Sequence, residues 1–228
     1  MKIGVLLSGN GVYDGSEIQE AVFTLLSIDE NGGEAICMAP DINQHHVINH
    51  LTGEEMNEKR NVLTESARIA RGNIHKISEV NVNELDALVI PGGFGAAKNL
   101  TKWAFSGPEG EINSEVQEII RAINAQGKPI VGLCMGPTVI SKALQGTGIH
   151  SHLTVGTVNE ASPYDISEIS EGMEKAGAVA EMKSIMEVSV DEANKIITAP
   201  CYMMEASIKE VSNNVKLAMD KLFEMLKK

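Results

Sequence analysis

Short apolar runs and helix-spaced apolar positions alternate along the chain. Ile3-Gly4-Val5-Leu6-Leu7 is a continuous apolar run of strand length, suited to a strand covered on both faces. After the loop Ser8-Gly9-Asn10-Gly11, positions Ile18, Val22, Leu25 and Leu26 recur at helical spacing. Ser16 is placed to cap that helix and Gly32-Gly33 to close it. Ala35 to Ala39 reads as a second strand, stopped by Pro40. A strand, a helix and a strand in this order imply a parallel pair joined by a crossover. Further on, the pattern predicts a helix over 61–71, a short strand over 73–78, a buried strand over 86–91 and an amphipathic helix over 111–126. That helix has Val116, Ile119, Ile120 and Ile123 as its apolar stripe. Ile130 to Leu133 is again a buried run, and a helix over 137–144 follows it. Leu153 to Gly156 reads as a short strand and 166–176 as a helix. The segments 188–190 and 195–198 read as a hairpin around an acidic loop. A long helix over 204–226 closes the chain, with Lys227 and Lys228 complementing its dipole. No repeat or linker interrupts this order, so one domain over 1–228 is expected.

Composition narrows the function. The chain has 228 residues, enough for one large α/β core. Its net charge is −12, with no basic run to meet phosphates, which argues against a nucleic-acid partner. No apolar run reaches membrane-spanning length. Met1 to Val5 enters a strand without the apolar region and cleavage site of a signal peptide. Cys37, Cys134 and Cys201 are odd in number and widely spaced, with no CxxC pair. That fits a reducing compartment, and a cytoplasmic location is expected.

Candidate chemistry concentrates where strands end. Gly132-Leu133-Cys134-Met135-Gly136 places a cysteine where a buried strand stops and a helix starts, with glycine two places to either side. That is the layout of a nucleophile elbow, whose sharp turn lifts the side chain out of the sheet. The helix N-terminus favours thiolate over thiol. The alternative is a small apolar residue ending a core strand. Pro91-Gly92-Gly93 ends the preceding strand in a tight loop able to aim N–H groups at an oxyanion, or in an ordinary turn. The loop Gly9-Asn10-Gly11 with Gly15 does not match a dinucleotide fingerprint and has no phosphate-loop lysine, so tight turning is its preferred reading. His45, His46 and His50 cluster without a Glu or Cys to complete a metal set, and a polar, solvated segment is expected there.

Taken in order, a glutamate early in the first helix, a strand ending in Pro-Gly-Gly and Cys134-Met135-Gly136-Pro137-Thr138 resemble the PfpI/ThiJ superfamily of glutamine amidotransferase-like cysteine proteins. Three longer stretches are similar to its ElbB group, the isoprenoid-biosynthesis-associated glyoxalase-like proteins. They are Ser8 to Ile18, Asn61 to Gly72, and Pro91 to Leu100, the last reading Pro-Gly-Gly-Phe-Gly-Ala-Ala-Lys-Asn-Leu. The likeness runs along most of the chain and is lowest between Ser141 and Lys183. It implies a flavodoxin-like three-layer α/β sandwich with a mostly parallel central sheet. It places the nucleophile on Cys134 and the catalytic glutamate on Glu20, since Gly32 lies twelve residues after Glu20 as in the family. Glu17, one turn earlier, is the rival. Gly93 and Met135 would supply the oxyanion-hole N–H groups. The sequence departs from the pattern at Asn10, where the group usually has cysteine. It departs again at Met135, where protease-like members have histidine. A later histidine would fall near His152 without a clean match, so a Cys–His triad is not completed.

The resemblance implies a cofactor-independent and metal-independent glyoxalase. Cys134 would attack a small 2-oxoaldehyde such as methylglyoxal, and Glu20, with a raised pKa, would act as general acid and base. The alternative is a non-enzymatic oxidant- or carbonyl-sensing protein using the same thiol; an amidase or protease ranks below both. Cys201 is either a resolving thiol near the pocket or a packing residue. The family also implies a homodimer.

Overall fold

A computed structural model describes residues 1–227, so the expectation for Lys228 lies outside the described residues. The strands are β1 (Lys2–Leu6), β2 (Glu34–Ala39), β3 (His75–Lys76), β4 (Ala87–Ile90), β5 (Ile130–Leu133), β6 (His152–Gly156), β7 (Val179–Met182), β8 (Ser189–Asp191) and β9 (Ile196–Ala199). The helices are α1 (Ile18–Glu30), α2 (Val62–Ile69), α3 (Trp103–Ser106), α4 (Ser114–Ala125), α5 (Gly136–Leu144), α6 (Ile166–Lys175) and α7 (Ile208–Leu226).

Seven strands form one sheet in the order β3-β2-β1-β4-β5-β9-β8, parallel throughout except for the β8–β9 hairpin. The short apolar runs are its centre: β4 and β5 are buried along their whole length, as strands covered by helices on both faces must be. Helix α1 packs on α7, and α4 on α5. This is a mostly parallel central sheet flanked by helices, the flavodoxin-like arrangement. β1 leads outward to β2 on one side, whereas β4 leads to β5 and β9 on the other. The strand order therefore reverses between β1 and β4, and in open α/β sheets the crevice at that point, beyond the C-terminal strand ends, is where ligands bind.

Several local expectations change. Ser16 does not cap α1: its hydroxyl accepts the Ser8 N–H at 2.9 Å, and Glu17 caps the helix by accepting the Glu20 N–H at 2.7 Å. Three of the four apolar positions that marked α1 also face outward, while Leu25 packs partly buried against the core. Ile18, Val22 and Leu26 are 44%, 45% and 50% exposed, while Glu20, Ala21, Thr24, Ser27 and Ile28 are buried. Small residues on the inner face let α1 lie close to its neighbours and turn Glu20 inward. The histidine segment 41–61 forms no helix; His45 lies 4.3 Å from Phe105 and His50 stacks on Tyr13 at 4.9 Å, ring centroid to ring centroid. α7 starts at Ile208, where Ser207 and Glu210 form a capping box, because 201–203 is a tight 3-10 turn. β7, which alternation did not reveal, pairs with β6 in a separate two-stranded sheet.

Candidate active site

Four strand ends converge. β5 stops at Leu133, and Cys134 extends the ladder by one bond, its N–H reaching Ala199 O at 2.9 Å. Its backbone then turns to φ +54°, a conformation costly for any residue but glycine, and α5 begins two residues later. The flanking glycines let the turn close: a Cβ on Gly136 would stand 2.5 Å from Ile90 O, and one on Gly132 2.8 Å from Ile140. The expected nucleophile elbow is therefore present in shape.

β4 delivers Gly92 and Gly93. A Cβ on Gly92 would lie 2.4 Å from Cys134 Cβ, 2.8 Å from Cys134 Sγ and 2.8 Å from Glu20 Oε2, so Gly92 occupies the gap that lets thiol and carboxyl meet. Gly93 sits at φ +94°, and a Cβ there would stand 2.4 Å from both Glu17 N and Gly15 O. The loop after β1 holds these two glycines in place. Glu17 N–H donates to Gly92 O (2.9 Å), Phe94 N–H to Val12 O (2.7 Å) and Gly95 N–H to Gly15 O (2.8 Å). Asn99 Nδ2 ties the same loop together through Ser8 O and Asp14 O, both at 2.9 Å.

Glu20 is fully buried. Gly92 N–H donates to its Oε2 at 2.9 Å and Tyr202 N–H to its Oε1 at 3.3 Å, and the same carboxyl faces the Cys134 thiol across Gly92. Burial, and then the nearby charge of Glu17, push its pKa up to about 8 against the lowering effect of those bonds. Cys134 is also pushed up, by burial first and by the Glu20 charge second, while N–H groups of Gly93 and Met135 aimed at the sulfur pull the other way. The helix N-terminus does not by itself produce a thiolate here, contrary to the sequence expectation, because desolvation of a buried anion outweighs a partial charge.

Beyond Sγ opens a cavity of about 360 Å³, walled by Phe94, Trp103, Phe105, Tyr164, Tyr202 and Met203 among others. Gly93, Cys134 and Met135 all line it. The same thiol thus faces a backbone N–H pair on one side and a carboxyl group on the other, which suits attack on a carbonyl with proton transfer at the adduct.

None of the remaining sequence candidates lines the cavity, though Glu17 and Cys201 lie close enough for their charges to be felt by, or to feel, the Glu20–Cys134 pair. Glu17 is half-buried at the helix cap and is tied to the Glu20 N–H. Asn10 lies in the loop after β1, its backbone against Gly15, and does not line the cavity. His152 opens β6, exposed, with Nδ1 3.0 Å from Glu181 Oε1. No histidine lines the cavity among the described residues. Cys201 is fully buried at φ +48°, with its N–H on Asn214 Oδ1 at 2.9 Å, and does not line the cavity either. No group of three or more potential metal ligands converges among the described residues. Sequence reasoning missed Tyr202, whose N–H reaches Glu20 only because Pro200 to Met203 curls back after β9. It also missed the aromatic wall. Aromatics scattered over short, separate segments have no periodicity to reveal that they meet.

Comparison with known proteins places the chain. The DJ-1/PfpI family profile matches residues 52–199. A human protein named glutamine amidotransferase-like class 1 domain-containing protein 3, mitochondrial, is 37% identical over 226 residues, covering 98% of this chain and 83% of that protein. The rat ES1 protein homolog, mitochondrial, is 36% identical over the same share of this chain and 84% of its own. These names overturn the expectation of a cytoplasmic protein; cysteine count and composition report redox habit and carry no cellular address. Among solved structures, an isoprenoid biosynthesis protein with amidotransferase-like domain from Ehrlichia chaffeensis superposes with a TM-score of 0.88. It is 32% identical and the match covers 99% of this chain and 100% of that one. Schizosaccharomyces pombe DJ-1, at 15% identity and a TM-score of 0.57 over 99% of this chain and 91% of that one, shares the fold. The chain belongs to the DJ-1/PfpI family, with its near structural likeness on the isoprenoid-biosynthesis side of that family.

Proposed function

We propose that the protein is a cofactor-independent glyoxalase acting on 2-oxoaldehydes. The observation that carries this reading is the buried carboxyl of Glu20 set beside the Cys134 thiol, Oε2 and Sγ each 2.8 Å from where a Gly92 Cβ would stand, with the Gly93 and Met135 N–H groups favouring the anionic sulfur. The sulfur adds to the aldehyde carbon, and its proton passes through Glu20 to the new hydroxyl, giving a hemithioacetal. Glu20 then takes the proton from that former aldehyde carbon. The electron pair left behind forms an enediolate, whose oxygen accepts from the Gly93 and Met135 N–H groups. Glu20 returns the proton to the neighbouring carbon, and the hydroxyl proton on the sulfur-bearing carbon passes to the neighbouring oxygen, which leaves a thioester of a 2-hydroxy acid. Water cleaves the thioester, releasing the acid and restoring the thiol. The sum is 2-oxoaldehyde plus water giving 2-hydroxy acid.

Lactate formation from methylglyoxal without glutathione tests this. Many turnovers by the natural protein and none by Cys134→Ala are expected; consumption of one equivalent or less per chain, of methylglyoxal and of phenylglyoxal alike, overturns it. That second outcome would favour an oxidant- or carbonyl-sensing role, for which the N–H pair at Cys134 is equally suited, because it would hold an anionic sulfinate. An amidase or protease would want a histidine beside the thiol to protonate the leaving amine; Met135 occupies that position and His152 pairs with Glu181. We take the working unit to be a homodimer, on the strength of the exposed apolar line Ile18, Val22, Leu26 along α1.

A further inference from the structure

We propose that the natural substrates are 2-oxoaldehydes carrying an aromatic or similarly bulky apolar body, not methylglyoxal. This rests on the glyoxalase reading of the same site and names its substrate class.

The reacting corner is tight. Glu20 is 0% and Cys134 5% exposed, and the space between them is already the gap left by Gly92, so a substrate brings only its carbonyl head there. The rest of the cavity, about 360 Å³, lies on the other side of Sγ. That is within the size of pockets that enclose ligands far larger than a three-carbon aldehyde. A methyl group would leave most of the wall facing water or void, whereas an aryl group would cover it and gain close contact.

The wall is composed for a ring. Trp103 is 7% exposed and lies against α6, where a Cβ on Gly172 would come within 2.9 Å of its Cζ2; the missing side chain is what lets the indole in. Phe94 and Tyr164 meet edge to face, centroids 5.9 Å apart at 70°, and a third ring entering between such walls finds the geometry aromatic groups prefer. Burial pushes the Tyr164 hydroxyl up to about 12, so it stays a neutral donor. The ionisable side chains of the lining, apart from Cys134 and the tyrosines, are Glu168 and Lys175, both exposed on α6 and therefore at the rim. Lys98 and Lys102 stand over the Phe94 and Phe105 rings, Nζ 5.1 and 5.9 Å from the centroids, but neither is among the residues that line the cavity.

The experiment compares phenylglyoxal with methylglyoxal, without glutathione, following mandelate and lactate. The kcat/KM for phenylglyoxal is expected to exceed that for methylglyoxal at least tenfold, the range by which one or a few buried carbons discriminate. In Ala104→Phe, which narrows the outer cavity at an exposed position of α3, that ratio is expected to fall tenfold or more; being a ratio, it does not depend on the folded fraction. Turnover of both with a ratio of one or below overturns the proposal and leaves the glyoxalase reading standing, as does an unchanged ratio in Ala104→Phe. If neither aldehyde is turned over, the glyoxalase reading falls, and calorimetry of mandelate and lactate on Cys134→Ala judges the pocket separately. Mandelate binding at least tenfold tighter supports the apolar-body assignment, and equal or absent binding overturns it.

Discussion

At the scale of single residues, reactivity at Cys134 comes down to one proton shared with Glu20. Both groups are pushed upward by burial, Glu20 to about 8. Below that pH the pair keeps both protons and the sulfur is a poor nucleophile. Above it one proton is lost, and the thiolate with acid and the thiol with carboxylate are two forms of the same ionisation state. So kcat/KM is expected to rise with pH and level off with a midpoint near 8. Glu20→Gln should lose that inflection and about 10²–10⁴-fold in rate, since general acid–base catalysis contributes on that order. A pH–rate profile of both proteins, with iodoacetamide titration of the thiol, checks it. Gly92→Ala makes a sharper cut: its methyl would enter the gap between Sγ and Oε2. We expect activity to vanish while unfolding in urea shows a loss of only about 1–3 kcal/mol, the usual cost of overpacking.

At the scale of elements, the site depends on turns that follow strands. The turn after β9 brings the Tyr202 N–H to Glu20, and it is held from α7 by Asn214. That side chain, 1% exposed, accepts the Cys201 N–H at 2.9 Å and donates to Glu187 O at 2.8 Å. Asn214→Ala leaves a buried N–H and a carbonyl unpartnered, so urea unfolding should report a loss of about 2 kcal/mol or more. The rate should fall with it, and more in kcat than in KM, because the Tyr202 N–H steadies the carboxyl that moves the proton and not the substrate body. α1 carries a second lesson. Its period was legible, but its inner face was not: Ile18, Val22 and Leu26 point outward, and Glu20, Ala21, Thr24 and Ser27 turn inward with Ile28, where the sheet needs room and chemistry.

At the scale of the whole molecule, that outward face is where the proposed homodimer would seat its second copy. Ile18, Val22 and Leu26 follow one another at four-residue spacing, hence on one side of the helix. Light scattering is expected to give twice the chain mass for the natural protein and one chain mass for Val22→Glu. The substitution is at a 45% exposed position, so the separated chain should stay folded; a chain mass unaffected by Val22→Glu would move the interface elsewhere.

What the sequence determined by itself was local or periodic. Continuous apolar runs marked β1, β4 and β5, since a strand buried on both faces leaves no room for polar residues. The Val116, Ile119, Ile120, Ile123 stripe marked α4, all four positions being buried. Gly132 and Gly136 around Cys134 marked the elbow, because a turn that tight admits few other residues. The tertiary structure alone decided the rest. Glu20 stands against Cys134 and Glu17 does not, because α1 rotates its third residue inward and spends its predecessor on the cap. Cys134 is pushed toward the thiol rather than drawn to thiolate, because burial depends on how many elements close over a group and not on its neighbours in the chain. The aromatic wall gathers Phe94, the α3 pair Trp103 and Phe105, Tyr164 and Tyr202 from four separate segments of the chain, and only their packing over the sheet's C-terminal ends makes them one surface.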